Sequence, residues 1–272
     1  MTTFSRRSSG AGLVAAVVLV GGLLAGLAAP MRCDAQAVEP REALEDAKLY
    51  FTAPLRWDAR DWLEFGGTLV ALGVVHEFDD DVRDHFVGNS AGGLDSDDPN
   101  SAEDALPAAV LLAGTWLLAG VTDEPAGWRE LGSMLEASAF TAVSTEVLKF
   151  SLKRQRPNET TDPDGWFDGG DSFPSMHASL AFAIGTVLAE SGDDRHRWLR
   201  RILGYGVAGA TAYARLDHNQ HWASDVAAGA ALGFATARFT LNRREGSAER
   251  TSFTVRPAEG GGLMLAFAMP LR

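Results

Sequence analysis

The sequence has a single cysteine, Cys33, among its 272 residues. A chain with one thiol forms no internal disulfide and offers no zinc–thiolate cluster. Basic residues are also few, with 24 lysines and arginines against 36 aspartates and glutamates, so the formal net charge is −12. This balance argues against nucleic acid as a partner. The chemistry must then come from His, Ser, Asp, Glu, Lys or Arg side chains.

The first 37 residues have the pattern of a targeting segment. Arg6 and Arg7 precede an uncharged run, Gly10–Met31, and Ala35 and Ala37 then supply the small residues of a cleavage site. The alternative is an uncleaved anchor, because the run is long enough to span a bilayer. In both cases we expect export to the periplasm or cell envelope. Cleavage would also remove the only cysteine, and with it any cysteine nucleophile.

The rest of the chain has little strand-like alternation, whereas Ala, Leu, Val and Gly dominate six stretches that we predict to be helices. These stretches are Trp62–Phe78, Ala105–Val121, Trp128–Leu152, Ala178–Glu190, Trp198–Leu216 and His221–Leu241. We therefore expect an all-α fold, a compact helical bundle. Alternation returns only in the tail, where two runs on either side of a glycine turn predict a β-hairpin within Thr251–Arg272.

Long apolar runs are almost absent after the targeting segment. Only Ala105–Val121 approaches the length of a membrane span without a charge. The mean hydropathy of −0.04 favours a water-soluble bundle, with peripheral contact with a membrane as a second option. Two acidic stretches, 79–98 and 159–171, are predicted to be solvated loops. The second faintly resembles a calcium-binding loop, but its spacing does not fit an EF-hand.

Three short segments carry residues suited to chemistry, and the first is basic. Lys149, Lys153 and Arg156 follow i, i+4, i+7 spacing, which predicts one shared helix face able to hold an anion. The alternative is a basic helix end that complements the helix dipole and stops at Pro157.

The second segment precedes a predicted helix. Pro174 and Ser175 are typical of a helix start, where free backbone N–H groups can bind a phosphate. His177 would lie at the rim of that site, although a histidine in a first helical turn is more often an ordinary surface residue.

The third segment contains Arg215, His221 and Asp225. His221 and Asp225 stand four residues apart, so on a helix the carboxylate can hold one imidazole nitrogen and leave the other free to attack. The same pair could serve only as a buried brace. A metal site that includes His218 is a further option, but no HExxH motif accompanies it.

Together, the three segments resemble the three-part signature of the type 2 phosphatidic acid phosphatase family, which shares its fold with bacterial class A acid phosphatases and vanadium haloperoxidases. The matching spacings, in the family's order, are Lys149-x6-Arg156-Pro157, Pro174-Ser175-x-His177 and Arg215-x5-His221-x3-Asp225. The resemblance divides the chain into a signal peptide or anchor at 1–37, a helical lead-in at 38–104, a phosphatase core at 105–245 and a tail at 246–272.

The resemblance implies a metal-independent phosphohydrolase without a cofactor, acting on phosphate monoesters, lipid phosphates or diphosphates. His221 would attack phosphorus to form a phosphohistidine, with Asp225 holding its ring. His177 would protonate the leaving alkoxide and then activate water. The phosphoryl oxygens would be bound by the other signature positions: Lys149, Arg156, Ser175, the Met176 amide and Arg215.

Two positions depart from the family's usual pattern. Met176 stands where the family usually has Gly, so a left-handed backbone there would cost free energy. Ala214 stands where the family usually has Ser, which removes one hydroxyl near the phosphate. These departures motivate one alternative, a non-enzymatic envelope protein on a phosphatase scaffold. The other alternative is a haloperoxidase that binds vanadate in the same cationic pocket, with His221 as axial ligand.

Overall fold

The structure, a computed structural model, describes residues 40–89, 109–115, 117, 125–191, 196–248, 252–258 and 262–268. Its helices are α1 Pro40–Phe51, α2 Ala59–His76, α3 Asp79–Asn89, α4 Pro125–Leu152, α5 Met176–Glu190, α6 Arg197–Asp217 and α7 Ala223–Ala248, with a 3-10 helix at Ala53–Arg56. Residues 109–115 and 117 are also helical. The strands β1 Ser252–Ala258 and β2 Gly262–Ala268 pair antiparallel, with Val255 opposite Leu265.

Helix α5 lies at the centre of the bundle and packs against α4, α6 and α7. The buried core around it is built largely from alanine, which lets the helix axes approach closely. Its members are Met134, Ala137, Ala181, Ala183, Ile184, Val187, Ala208, Ala237 and Leu241. A core of small side chains leaves little freedom for the helices to shift relative to one another.

Glycines mark the closest approaches to α5. A Cβ added to Gly204 of α6 would lie 2.2 Å from the carbonyl oxygen of Gly185 in α5. On the other side, a Cβ added to Gly233 of α7 would lie 2.1 Å from the carbonyl oxygen of Ser179. Backbone meets backbone at both crossings, a contact that only glycine permits. The three helices α5, α6 and α7 therefore pack backbone against backbone at these crossings.

The predicted all-α bundle is confirmed, and the helix boundaries differ by a few residues. The stretch predicted at Trp62–Phe78 is α2, which begins three residues earlier at a capping box formed by Asp58 and Asp61. The prediction at Ala105–Val121 lies partly outside the described residues, and the targeting segment at 1–37 lies wholly outside them. The tail carries the predicted pair of strands.

One prediction about the acidic stretches was wrong. Residues 79–89 form α3 rather than a loop, because Asp79, Asp80 and Asp81 occupy its first turn, where carboxylates favour a helix N-terminus. Within the described part of the chain, none of the helices combines the length and the apolar character needed to cross a bilayer.

Candidate active site

The predicted site residues gather at one end of the bundle, where α4 and α6 end and α5 and α7 begin. Two connections meet there, residues 153–175 between α4 and α5 and residues 218–222 between α6 and α7. The backbone N–H of Ser175 donates to the carbonyl oxygen of Asp225 at 3.0 Å, which joins the starts of α5 and α7. His221 lies between these elements with 4% of its surface exposed.

The basic segment does not form one helix face as predicted, because α4 ends at Leu152. Lys153 adopts a left-handed backbone with φ of 47°. Its carbonyl oxygen accepts hydrogen bonds from the N–H groups of Asp168 (3.1 Å) and Gly170 (3.0 Å), so the following connection folds back onto the turn. The Lys153 side chain is exposed and that of Arg154 is buried. Local spacing failed here because these tertiary hydrogen bonds end the helix.

Arg156 reaches the site from this connection rather than from a helix. Its Nε and Nη2 donate to Asp171 at 2.7 and 3.2 Å, and its Nη1 donates to the carbonyl oxygen of Gln220 at 3.1 Å. The same Nη1 lies 3.5 Å from Nε2 of His221. An arginine edge therefore faces the imidazole nitrogen that points into the site.

Lys149 supplies a second cation from the last turn of α4. Its ammonium group donates to the backbone carbonyl of Asp171. Burial, followed by the charge of Arg156, lowers the pKa of Lys149 to about 8. The same arginine also lowers the pKa of Asp171: burial acts to raise that pKa, but the hydrogen bond and charge of Arg156 hold it well below its usual range.

His221 precedes α7 instead of lying on it, because the helix begins at Ala223. The predicted placement of His221 on the helix is therefore wrong, although the Asp225 carboxylate does lie beside one imidazole nitrogen. Nδ1 of His221 lies 3.6 Å from Oδ2 of Asp225 and 3.5 Å from Oγ of Ser172. Ser172 Oγ in turn donates to the same Asp225 oxygen. The hydroxyl thus lies beside both members of the histidine–aspartate pair.

Asp225 is held by the geometry of a helix start. It is the third residue of α7, and its Oδ2 accepts the backbone N–H of Trp222 at 2.9 Å, as an acidic residue does in a capping box. Its Oδ1 accepts Nη1 of Arg154 at 2.7 Å. With both carboxylate oxygens engaged, the side chain has no freedom to rotate away from His221.

The electrostatic surroundings keep His221 neutral. Burial lowers its pKa well below 6.5, and the neighbouring cations lower it further. These cations, in decreasing order of effect, are Arg156, Lys149, Arg215 and His177. At neutral pH the imidazole therefore carries one proton. Because arginine only donates, the Nε2 nitrogen that faces Arg156 is the unprotonated one, and the proton lies on Nδ1 toward Asp225.

The remaining predicted residues lie at the start of α5 and at the end of α6. Ser175 is the N-cap of α5, and its Oγ accepts the N–H of Ala178 at 3.5 Å. Met176 begins α5 and does not have a positive φ, so the expected cost of replacing glycine there does not arise. His177 follows in the first turn. Arg215 is fully buried in the last turn of α6, close enough to affect the pKa of His221.

Sequence reasoning missed five residues that complete this arrangement: Asp79, Arg154, Asp171, Ser172 and Gln220. Ser172 and Asp171 stand directly before the second segment, and Arg154 lies inside the first, so proximity to the signature was the available signal. Nothing in the sequence distinguishes Asp79 from Asp80 and Asp81.

The side chains around His221 are mostly cationic. In the part of the chain that the structure describes, no group of three or more His, Cys, Asp or Glu residues has a geometry that could hold a metal ion. The side chains that lower the pKa of His221 are all basic. Such an arrangement fits an anion with several oxygen atoms.

Comparison with known proteins agrees with this chemistry. The family model of the PAP2 superfamily matches residues 130–247, which confirms the resemblance drawn from the three segments. A lipid A 1-phosphatase of Porphyromonas gingivalis is 39% identical over 85 residues, which are 31% of this chain and 17% of that protein. A lipid phosphate phosphatase gamma of Arabidopsis thaliana is 31% identical over 101 residues, which are 32% of this chain and 42% of that protein. The chain thus matches less than half the length of either relative.

Among solved structures, a transmembrane PAP2 type phosphatidylglycerolphosphate phosphatase from Bacillus subtilis aligns with a TM-score of 0.39 and 18% identity. The alignment covers 85% of this chain and 96% of that structure.

Proposed function

Because residues 130–247 belong to the PAP2 superfamily, we propose that this chain hydrolyses phosphate monoesters, lipid phosphates or diphosphates by transient transfer of the phosphoryl group to His221. The observation that carries the proposal is the state of His221: a buried, neutral imidazole whose Nε2 lies 3.5 Å from Nη1 of Arg156, with further cations around it. A nucleophile must be unprotonated, and an anionic substrate must be drawn to it; this arrangement meets both needs.

In the first step Nε2 of His221 attacks phosphorus while the bond from phosphorus to the leaving oxygen breaks. His177 donates a proton to that oxygen. The product is a phosphohistidine whose ring is positively charged, since Nδ1 keeps its proton. Asp225 and Ser172 lie beside Nδ1 and stabilise this charge.

In the second step His177, now neutral, takes a proton from water, and the resulting hydroxide attacks phosphorus. The bond between phosphorus and Nε2 breaks, inorganic phosphate leaves and His221 returns to its neutral state. Throughout, Lys149, Arg156 and Arg215 neutralise the phosphoryl oxygens, so no step calls for a metal ion.

Substrate entry requires one rearrangement. Arg156 is engaged with Asp171, whose side chain is 65% exposed. Because the Asp171 carboxylate is largely exposed whereas Arg156 is buried, Asp171 can turn toward solvent and leave Arg156 in place to bind a phosphate. The lipid relatives and the export expected from residues 1–37 together favour a lipid phosphate in the cell envelope as the substrate.

The test is hydrolysis of p-nitrophenyl phosphate and of a lipid phosphate in detergent micelles by the purified chain. We expect turnover that survives EDTA, falls with vanadate and is lost in His221→Ala. His218→Ala is the matched control, because His218 is an exposed histidine of the same connection. Loss of turnover on chelation would refute metal independence, and equal losses in both histidine variants would refute the assignment of the nucleophile.

The covalent intermediate can be tested separately with His177→Ala. p-Nitrophenolate leaves without protonation, so this variant should still form the phosphohistidine but release phosphate slowly. We expect a burst of nitrophenol equal to the enzyme concentration, followed by a steady rate roughly 100-fold or more below that of the wild type. Brominating activity with vanadate and peroxide, in the absence of phosphate release, would favour the haloperoxidase alternative instead.

A further inference from the structure

Behind the histidine–aspartate pair lies a buried cluster of three charges. Arg154 donates from Nη1 to Oδ1 of Asp225 and from Nη2 to Oδ2 of Asp79, both at 2.7 Å. All three side chains have no exposed surface. Asp225 belongs to the catalytic arrangement, whereas Asp79 comes from α3, outside the segment that matches the family model.

Asp79 accepts hydrogen bonds through both of its carboxylate oxygens. Its Oδ1 accepts the backbone N–H of Ser224 at 2.8 Å, and its Oδ2 accepts the Ser224 hydroxyl at 2.6 Å. Its Oδ2 also contacts Nδ1 of His76 at 2.8 Å. Asp80 and Asp81, in the same helical turn, are exposed. Burying a carboxylate costs considerable free energy, so the burial of Asp79 behind the His221 site requires an explanation.

Charge balance supplies that reason. If Arg154 faced Asp225 alone, the arginine would cancel the carboxylate, and a positive charge formed on His221 would meet no net counter-charge. Asp79 neutralises Arg154 instead. At a pH at which His76 is neutral, the three charges then sum to −1 next to Nδ1 of His221, where positive charge develops during phosphoryl transfer.

We propose that Asp79 is a positioning residue of the His221 site: by pairing with Arg154 it preserves the charge of Asp225 as the counterion of the phosphohistidine ring. This inference rests on the proposed function for its catalytic part. Its electrostatic part concerns only the charge of His221 and can be measured without a substrate.

The kinetic test compares Asp79→Asn with Asp80→Asn, which removes the same charge from the exposed side of the same turn. We expect Asp79→Asn to lower kcat by roughly 10- to 100-fold, as is typical when an outer partner of a reactive group is lost. KM should change much less, because the phosphate-binding cations are untouched. Asp80→Asn should match the wild type. Equal kcat values in the two variants would overturn the proposal.

A second variant separates charge from packing. In the double variant Asp79→Asn/Arg154→Met both charges of the outer pair are gone, and Asp225 is again the net counter-charge. Charge balance therefore predicts that the double variant recovers kcat relative to Asp79→Asn. A purely structural role predicts that kcat of the double variant falls below that of Asp79→Asn, and this result would refute the proposal. The comparison remains valid if Asp79→Asn alone folds poorly, because the double variant is compared with it directly.

The third readout is the titration of His221 followed by NMR. The charged groups around it come from every neighbouring element: Lys149 of α4, Arg156 and Asp171 of the 153–175 connection, His177 of α5, Arg215 of α6 and Asp225 of α7. Removing the Asp79 charge should lower the pKa of His221 further, whereas Asp80→Asn should leave it unchanged.

The readouts distinguish the two proposals. If the His221 titration shifts in Asp79→Asn but neither the wild type nor any variant hydrolyses substrate, the proposed function is refuted and the electrostatic role of Asp79 is supported. If the wild type hydrolyses substrate but Asp79→Asn changes neither the His221 titration nor kcat, the role of Asp79 is refuted and the proposed function is supported.

Discussion

Alanine in place of Gly204 should destabilise the bundle, and the cost can be worked from the α5–α6 crossing. The added Cβ would lie 2.2 Å from the Gly185 carbonyl oxygen and 3.1 Å from its carbon. Ordinary contact needs an oxygen distance about 1 Å longer, so the two helices must separate. Overpacking of this kind costs about 1–3 kcal/mol, or more where, as here, no flexible side chain can yield.

A matched control removes the other effect of the substitution. Alanine also favours the helical state over glycine by about 0.8–1 kcal/mol, which acts against the clash. Gly206, two residues further along α6, has no atom within 4 Å of an added Cβ. Gly206→Ala gains the propensity without the clash, so the difference in unfolding free energy between the two variants isolates the helix contact, about 1–3 kcal/mol.

The assay is thermal and urea unfolding of both variants alongside the wild type. For a chain of this size about 2 kcal/mol corresponds to roughly 4–8 °C in Tm. Because α5 carries His177 and α6 carries Arg215, Gly204→Ala should also lower phosphatase activity, whereas Gly206→Ala should not. A Gly204→Ala protein that melts at or above Gly206→Ala would refute the close backbone crossing.

Three further predictions concern the site. The Lys149 ammonium loses its proton as pH rises through about 8, so inhibition by vanadate should weaken roughly tenfold from pH 7 to 9 in the wild type but not in Lys149→Arg; a flat wild-type profile would contradict the lowered pKa. Arg154→Met leaves two buried carboxylates without their cation and should cost about 3–5 kcal/mol in urea unfolding, against no loss if the cluster were solvated. Ser172→Ala removes the hydroxyl beside His221 Nδ1 and should reduce kcat roughly tenfold, together with a loss of about 1–3 kcal/mol in unfolding free energy from its buried hydrogen bond to Asp225; undiminished turnover of the folded variant would exclude a catalytic role for that hydroxyl.

The sequence was sufficient to find the signature residues around His221, because their chemical types and spacings are local properties, but it missed Asp171 and Ser172, which lie beside them. Helix starts and ends were also predictable where caps mark them, as at Ser175. The geometry around them was less predictable. Both His221 and Arg156 were expected on helices, yet each lies in a connection whose course is set by hydrogen bonds between distant segments.

The burial of individual charged residues was even less predictable from the sequence. Three consecutive aspartates begin α3, and only Asp79 is buried. Its burial depends on Arg154 and Ser224, which are 75 and 145 residues away in sequence. Hydropathy and periodicity describe neighbours along the chain, so they carry no information about which member of such a run will meet a distant arginine.

The left-handed turn at Lys153 bears on how this chain tolerates changes of length. Connections between helices usually accept insertions and deletions, because their backbone lies in solvent. Here the turn sends residue 153 outward and residue 154 into the interior, two positions before the arginine that faces His221. Deleting Gln155 while Arg156 keeps its place would put Lys153 where the buried guanidinium of Arg154 bridges two carboxylates. The number of residues in this connection is therefore as constrained as their identity.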